Sequence, residues 1–419
     1  MPDPKALLRQ LADAAIRAAD PSVRVPPILP AAPKKAVVLG AGKASAAMAR
    51  AIETAWPDTE LSGLVVTRYG YEVACDHVEI VLAAHPVPDQ AGREAAGRIL
   101  EMAERATEDD LVIALMSGGG SALLTAPAEG ITFEEKQEVN RQLLRCGADI
   151  GEMNTLRKHI SAIKGGRLAA AAHPARVLSI LISDVPGDDP AVIGSGPTVP
   201  DPTTFADALA VVEKYALELP ESVIRHLNEA ASETPKPGDT LFDGNEVIFA
   251  AKPDKSIEAA AEVARQAGYG VVDLGDRVEG EARDVGREHA RLALACKAGG
   301  GPQAAPCVIL SGGETTVTMT GNGRGGRNTE YLLGVAEALD SAEGIYAVAC
   351  DTDGVDGSED NAGAFVDPTT VARALATGLS VTDALKNNDA YTLFYNTGDL
   401  LETGPTYTNV NDFRAVVIA

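Results

Sequence analysis

Residues 111–116, Leu-Val-Ile-Ala-Leu-Met, are an uncharged apolar run, and Ser117-Gly118-Gly119-Gly120-Ser121 follows at once. A run this short and apolar throughout reads as a buried strand. Three successive glycines let the backbone take positive φ and remove every Cβ from the path of a ligand. Strand, glycine–serine turn and helix start is how α/β proteins present bare N–H groups to an anion. The same residues could form only a tight strand-to-helix connection. Other glycine-rich or acidic turns follow short apolar strands along the chain, and this repetition argues for a site.

A chain of 419 residues exceeds one ordinary core, so two domains are expected. Ser232 to Gly244 is polar and rich in chain breakers, which sets the expected domains at 1–235 and 236–419. The 60 acidic and 36 basic side chains leave a net charge of -24, which excludes a nucleic-acid partner wanting a basic face. No uncharged apolar run approaches the ~18 residues a membrane helix needs. The first twenty residues read as an amphipathic helix without a signal-peptide core, so the cytoplasm is the expected location. The five cysteines are scattered without a CxxC pair, which reads as reduced thiols with no zinc site or disulfide frame.

Strand Ala36–Leu39 runs into Gly40-Ala41-Gly42-Lys43-Ala44-Ser45. A P-loop needs glycine where Val37 stands. A dinucleotide turn wants Gly or Ala at Ser45 and an acid where the next strand ends in Arg68. What remains is Lys43 on a glycine turn at a helix start, where its ammonium would meet a phosphate or carboxylate. A merely solvated lysine is disfavoured there by the helix dipole. His85, beside Pro86, has a possible catalytic use, but a structural one is the more common meaning of a loop histidine.

Glu152 to Ala172 is the most basic stretch, with Asn154, Arg157, Lys158, Lys164 and Arg167. Charges there could be a solvated helix face or an anion site. The Gly165-Gly166 pair would weaken a helix unless something approaches the backbone closely. Strand Val177–Ile182 delivers Asp184, Asp188 and Asp189 at its C-terminal end, where α/β sheets keep their chemistry. These carboxylates could hold Mg²⁺, serve as a base, or cap turns.

The second half repeats the pattern. Strand Glu246–Ala250 opens it, strand Cys307–Leu310 ends before Gly312-Gly313-Glu314, and an alternating strand is expected over Thr315–Thr320. The loop Gly321 to Asn328 contains GxGxxG, yet Arg324 and Arg327 in it are better explained as planar forks for phosphate or carboxylate. A strand over Tyr346–Cys350 leads to Asp351, Asp353 and Asp356, read as a divalent-cation or nucleotide site in preference to plain turn-capping.

Taken in order, Gly40-Ala41-Gly42-Lys43-Ala44, His85-Pro86, Ser117 to Ala122, Lys164-Gly165-Gly166, Ser183 to Asp188, Ser195 to Thr198, Gly312 to Thr315, Gly325 to Asn328 and Asp351 to Gly357 resemble the glycerate 2-kinase family. The second half looks like that family's MOFRL domain. The resemblance implies an α/β fold with an N-terminal Rossmann-like α/β/α sandwich, a second α/β domain and an active site in the cleft between them. It implies ATP and D-glycerate as substrates, 2-phosphoglycerate as product, and Mg²⁺. It also carries function to Lys43, Asp184 and Arg327.

On this reading Lys43 and Arg327 neutralise the transferring phosphoryl, and Asp184 orients or deprotonates the 2-hydroxyl or holds Mg²⁺. Gly40, Gly42, Ser117, Gly118, Gly119, Gly120, Ser121, Asn154, Lys158, Glu314 and Asn328 are the expected nucleotide-binding residues. Asp184, Asp188, Asp351 and Asp353 are the candidate metal ligands. No membrane partner is expected, and a homodimer is one assembly open to the chain. Members of the family also carry the label hydroxypyruvate reductase, so NAD(P)H-dependent reduction is the competing activity, and a non-catalytic sensor of a small anion is a third.

Overall fold

The computed structural model describes residues 3–419. The chain divides into two compact units, one of residues 24–250 and one joining the residues up to Val23 to Ala251–Ala419. This differs from the division expected between 235 and 236. The strand that appeared to open the second half closes the first unit's sheet, and the N-terminal helix belongs with the second unit.

The first unit holds six strands: β1 Lys35–Ala41, β2 Glu60–Arg68, β3 Glu79–Ala83, β4 Leu111–Met116, β5 Arg176–Ile182 and β6 Glu246–Ala251. Their order is β3-β2-β1-β4-β5-β6. The pairs from β3 through β5 are parallel. Six consecutive residues of β4 are buried, and β1 and β5 are exposed only at their first residue. A parallel sheet covered on both faces requires such unbroken apolar runs. The order reverses between β1 and β4, so the loops after those two strands flank the point where open α/β sheets bind ligands.

Four helices beside this sheet make a smaller core around Val139, Leu156, Phe205 and Leu227. Three of them, Phe133–Cys146, Ile150–His159 and Phe205–Lys214, begin with reciprocal capping boxes. In the box at Thr132 and Glu135, the Glu135 N–H donates to Thr132 Oγ1 at 3.2 Å and the Thr132 N–H to Glu135 Oε2 at 2.7 Å. Each cap satisfies orphan donors of its first turn, worth about 1 kcal/mol.

The second unit has β7 Gly270–Asp273, β8 Cys307–Gly313, β9 Ile345–Asp351, β10 Gly363–Val366, β11 Leu400–Leu401 and β12 Asp412–Ile418, ordered β11-β10-β9-β12-β8-β7. Only β7 and β8 pair in parallel; the other neighbours are antiparallel. Of the alternating strand expected over Thr315–Thr320, Thr315 and Thr316 alone form a ladder, with Gly280 and Glu281.

The N-terminal helix Pro4–Arg17 buries Leu7, Leu8 and Leu11 among Ile257, Ala260, Val348 and Val417. Each buried leucine contributes about 1.5–3 kcal/mol. That apolar stripe is why the first residues of the chain join the last. Among the described residues, no helix is long and apolar enough to cross a membrane, and all five cysteines are free thiols.

Candidate functional site

The loops after β1 and β4 are fastened to each other. The Lys43 N–H donates to Gly118 O at 2.9 Å, and the Ala44 N–H to Ser117 Oγ at 3.0 Å. Gly42 has φ +141, and a Cβ there would stand 2.1 Å from Ser117 Oγ, so only glycine fits. Gly40 is required for a similar reason, because a Cβ on it would meet Leu115 O at 2.1 Å. These two glycines serve the contact between the loops. Ser117, Gly118 and Gly120 are also buried in that contact, which leaves Gly119 and Ser121 to face a cavity.

That cavity has a volume of about 390 Å³. Gly119 lies between the stem of Lys43 and the ring of His85. A Cβ on it would be 3.6 Å from Lys43 Cγ and 3.0 Å from His85 Cδ2. Burial, reinforced by the charges of Lys43 and Arg68, pushes the His85 imidazole down to about 4. His85 is therefore neutral at physiological pH, a hydrogen-bonding group beside a lysine.

Ser121 heads a chain of polar contacts. Its Oγ is 2.8 Å from Ser195 Oγ, and the Ser195 hydroxyl donates to Asn154 Oδ1 at 3.1 Å. Lys164 Nζ donates to Ser121 O at 2.8 Å, and to Ser121 Oγ and Gly194 O at 3.3 Å. Burial, with repulsion from Lys136 and Arg157, drives the Lys164 ammonium well below its ordinary range. Burial also brings Lys136 to about 7. Lys136 Nζ donates to the Ile160 carbonyl at 2.9 Å.

Adjacent residues of the basic helix part company. Lys158 turns to a buried ion pair with Asp201 at 3.3 Å, while Arg157 lines the cavity. The backbone approach expected at Gly165-Gly166 comes from the chain's own turn. Their N–H groups donate to Ser195 O and Gly196 O at 3.1 and 2.7 Å. Asp184 is half-buried just past the end of β5. The parallel sheet thus puts Lys43, Ser121 and Asp184 at the C-terminal ends of β1, β4 and β5, on one edge.

The second unit gathers a different set. Arg327, the first residue of helix Arg327–Leu339, donates through Nε to Asp412 Oδ1 at 2.8 Å, through Nη1 to Glu314 and through Nη2 to Asp351 at 3.0 Å. Burial opposes its charge, but the Asp412, Asp351 and Glu314 carboxylates prevail and hold the guanidinium above its ordinary range. Asp412 also takes Arg414 at 2.7 Å, with both side chains fully buried. Asn328, wholly buried, joins Asp356 to Asp412 through its amide. Asp351 Oδ1 accepts the Asp353 N–H, and Asp353 Oδ1 the Val355 N–H.

Asp412, Arg414 and Asn140 do not emerge from sequence reasoning, and Asp356, read there as part of a cation or nucleotide site, instead accepts the N–H groups of Asn328 and Thr329. Asp412 and Arg414 left a signal, since two opposite charges two residues apart in an apolar closing strand point to the same face and must meet. Among the described residues, no group of three or more His, Cys, Asp or Glu side chains is arranged to hold a metal ion.

A parallel sheet carrying glycine turns, a lysine and a carboxylate on its C-terminal edge is the equipment of a nucleotide-handling α/β enzyme. A domain family of unknown function, DUF4147, matches residues 7–228, and the MOFRL family matches 307–412. The chain is 41% identical to a D-glycerate 2-kinase of Thermotoga maritima, covering 90% of this chain and 89% of that protein. It is 52% identical to an Agrobacterium vitis protein labelled provisionally as a hydroxypyruvate reductase, covering 98% and 94%. A crystal structure of glycerate kinase from Thermotoga maritima superposes with a TM-score of 0.90 at 39% identity, covering 99% of each chain. The chain belongs to the glycerate 2-kinase family.

Proposed function

We infer that this chain transfers the terminal phosphoryl group of ATP to the 2-hydroxyl of D-glycerate, releasing ADP and 2-phosphoglycerate. The observation that carries this reading is likeness over nearly the whole chain, at 41% identity in sequence and a TM-score of 0.90 in fold, to proteins named glycerate kinases. Phosphoryl transfer needs positioning and charge neutralisation more than covalent chemistry. Lys43 and Arg327 are assigned to the charge of the transferring group, with Gly119 and Ser121 presenting donors to an anion. Asp184 is assigned to orient the 2-hydroxyl and accept its proton.

Mg²⁺ travelling with ATP keeps water and phosphate ligands and needs only one or two protein carboxylates. Asp184 and Asp188 are the residues proposed to meet the ion, which would neutralise phosphate charge. Asp351 and Asp353 fit less well, because Asp351 serves Arg327 and both carboxylates brace their own turn.

Reduction of hydroxypyruvate is the competing reading, given the label on the Agrobacterium relative. The first unit does have the dinucleotide strand order. Its β1 turn, however, places Ser45 where the third glycine belongs, and β2 ends in Arg68. GxGxxG at Gly321–Gly326 is no better, since no strand runs directly into it. Incubation with D-glycerate, ATP and Mg²⁺, read by NMR, should show 2-phosphoglycerate. 3-Phosphoglycerate would overturn the role of Asp184, and NADPH oxidation by hydroxypyruvate without any phosphoglycerate would overturn the kinase.

A further inference from the structure

The cavity beside Gly119 and Ser121 is lined by Lys136, Arg141, Arg157 and Lys164, and by no aspartate or glutamate. Lys136 and Lys164 direct their Nζ atoms to backbone carbonyls, so Arg141 and Arg157 carry the wall's charge. In a chain where acids outnumber bases 60 to 36, two arginines with no carboxylate in the lining mark a place for an anion. Arg141 has Glu138 as its partner. Arg157 has no ion-pair partner among the described residues, and its Nε donates to Asn140 Oδ1 at 3.1 Å. One bond of five donors fixes the plane of the guanidinium and leaves its η nitrogens for a planar anion.

The cavity also has an apolar lip. Val87 and Leu144 are 67% and 70% exposed, unusual for large aliphatic side chains. A three-carbon acid fills a small part of about 390 Å³ and has no apolar face for such a lip. A nucleoside triphosphate has both a polyanionic tail and a flat apolar head.

We propose that this cavity is the nucleotide seat, with Arg157 clamping the polyphosphate against Gly119 and Ser121, and Val87 and Leu144 covering the base. Asn140 is a positioning residue that holds the guanidinium. The assignment rests on the kinase reading for the identity of the nucleotide, but its test does not need turnover.

The test is calorimetric binding of MgATP, inorganic tripolyphosphate and D-glycerate to the full chain, with steady-state kinetics alongside. Arg157→Gln should weaken MgATP and tripolyphosphate about tenfold or more, the loss of a charge-assisted fork, and leave the KM for D-glycerate within about twofold. Leu144→Gln should weaken MgATP and leave tripolyphosphate unchanged. Leu144 is exposed, so this arm remains readable even if Arg157→Gln misfolds.

Unchanged nucleotide affinity in both variants would overturn the proposal. A rise confined to the KM for D-glycerate would overturn it too, because the cavity would then seat the acceptor's carboxylate. If the wild type binds MgATP in an Arg157-dependent way yet makes no phosphoglycerate, the seat stands and the kinase reading falls. If it makes 2-phosphoglycerate while Arg157→Gln and Leu144→Gln bind MgATP normally, the seat alone falls.

Discussion

Arg327 and Asp412 are joined by an Nε–Oδ1 hydrogen bond of 2.8 Å, and the other oxygen of the same carboxylate holds the buried Arg414 at 2.7 Å. One carboxylate therefore fixes two guanidinium groups. Removing Asp412 as Asp412→Ala would leave Arg414 buried without its ion partner, at a cost of about 3–5 kcal/mol. The side chain of Glu314 is 50% exposed, so Glu314→Ala should cost about 0–1 kcal/mol. Denaturant midpoints of the two variants check the contrast, and equal midpoints would contradict the buried bridge.

Arg327→Ala should lower kcat by a factor on the order of 10²–10³, the size of losing a preorganised charge donor. Arg327→Lys should recover little of it. A single ammonium cannot span Asp412, Asp351 and Glu314 as the guanidinium does. Near-normal turnover in either variant, measured by ADP release, would remove the catalytic assignment.

Lys43→Ala should also cost roughly 10²–10³ in kcat. Gly42→Ala tests the scaffold beneath it. Its Cβ would collide with Ser117, so poor folding or a displaced loop is expected. Gly119→Ala, with φ +82 and an added Cβ 3.0 Å from His85, should cost about 1–3 kcal/mol and disturb substrate KM through the imidazole. A Gly119→Ala enzyme with unaltered melting and KM would show that neither the strain nor the contact matters.

His85 sits at about 4, below the ordinary imidazole value, because burial and neighbouring cations disfavour its charged form. Between those two values the unfolded chain binds more protons than the folded one, so stability rises with pH through that window and is fully present above it. His85→Gln should flatten this acid limb of a thermal-melt profile. The kcat/KM profile should show no break near the ordinary imidazole value that His85→Gln removes; such a break would mean that the ring is solvated.

Asp184→Asn should raise the Mg²⁺ concentration needed for half-maximal rate, and Asp351→Asn should not, since that carboxylate already braces Arg327 and the Asp353 N–H. Titrating Mg²⁺ at fixed ATP separates them. The reverse pattern would move the metal contact to the second unit.

The strands were legible because a parallel sheet buried on both faces demands unbroken apolar runs, and β1, β4 and β5 supply them. The place of β6 was not. A breaker-rich stretch such as Ser232–Gly244 marks a surface loop as readily as a domain boundary. What assigns β6 is pairing with β5, helped by Asn245, whose Oδ1 accepts the Val177 N–H at 2.8 Å. Thr315–Thr320 alternates like a strand, but backbone pairing depends on a partner that local pattern does not reveal. The basic run was visible as a candidate anion site. That Lys158 meets Asp201 while its neighbour Arg157 meets the cavity depends on helix phase against distant residues, as does the structural role of Asn328.

Arg24 and Ala250, the first and last residues of the sheet-bearing first unit, are joined by an Nε–O hydrogen bond of 3.1 Å. That unit is thus a closed excursion inserted into the other, and the insertion dictates an order of assembly. Helix Pro4–Arg17 leaves the ribosome nearly four hundred residues before strand Asp412–Ile418, part of the sheet it covers. At about 5–20 residues per second, its leucines wait on the order of tens of seconds for their partners. Residues 24–250 have all their own strands long before then. During that delay the apolar stripe of one short amphipathic helix lacks the sheet that buries it, the kind of exposed segment a holdase chaperone binds.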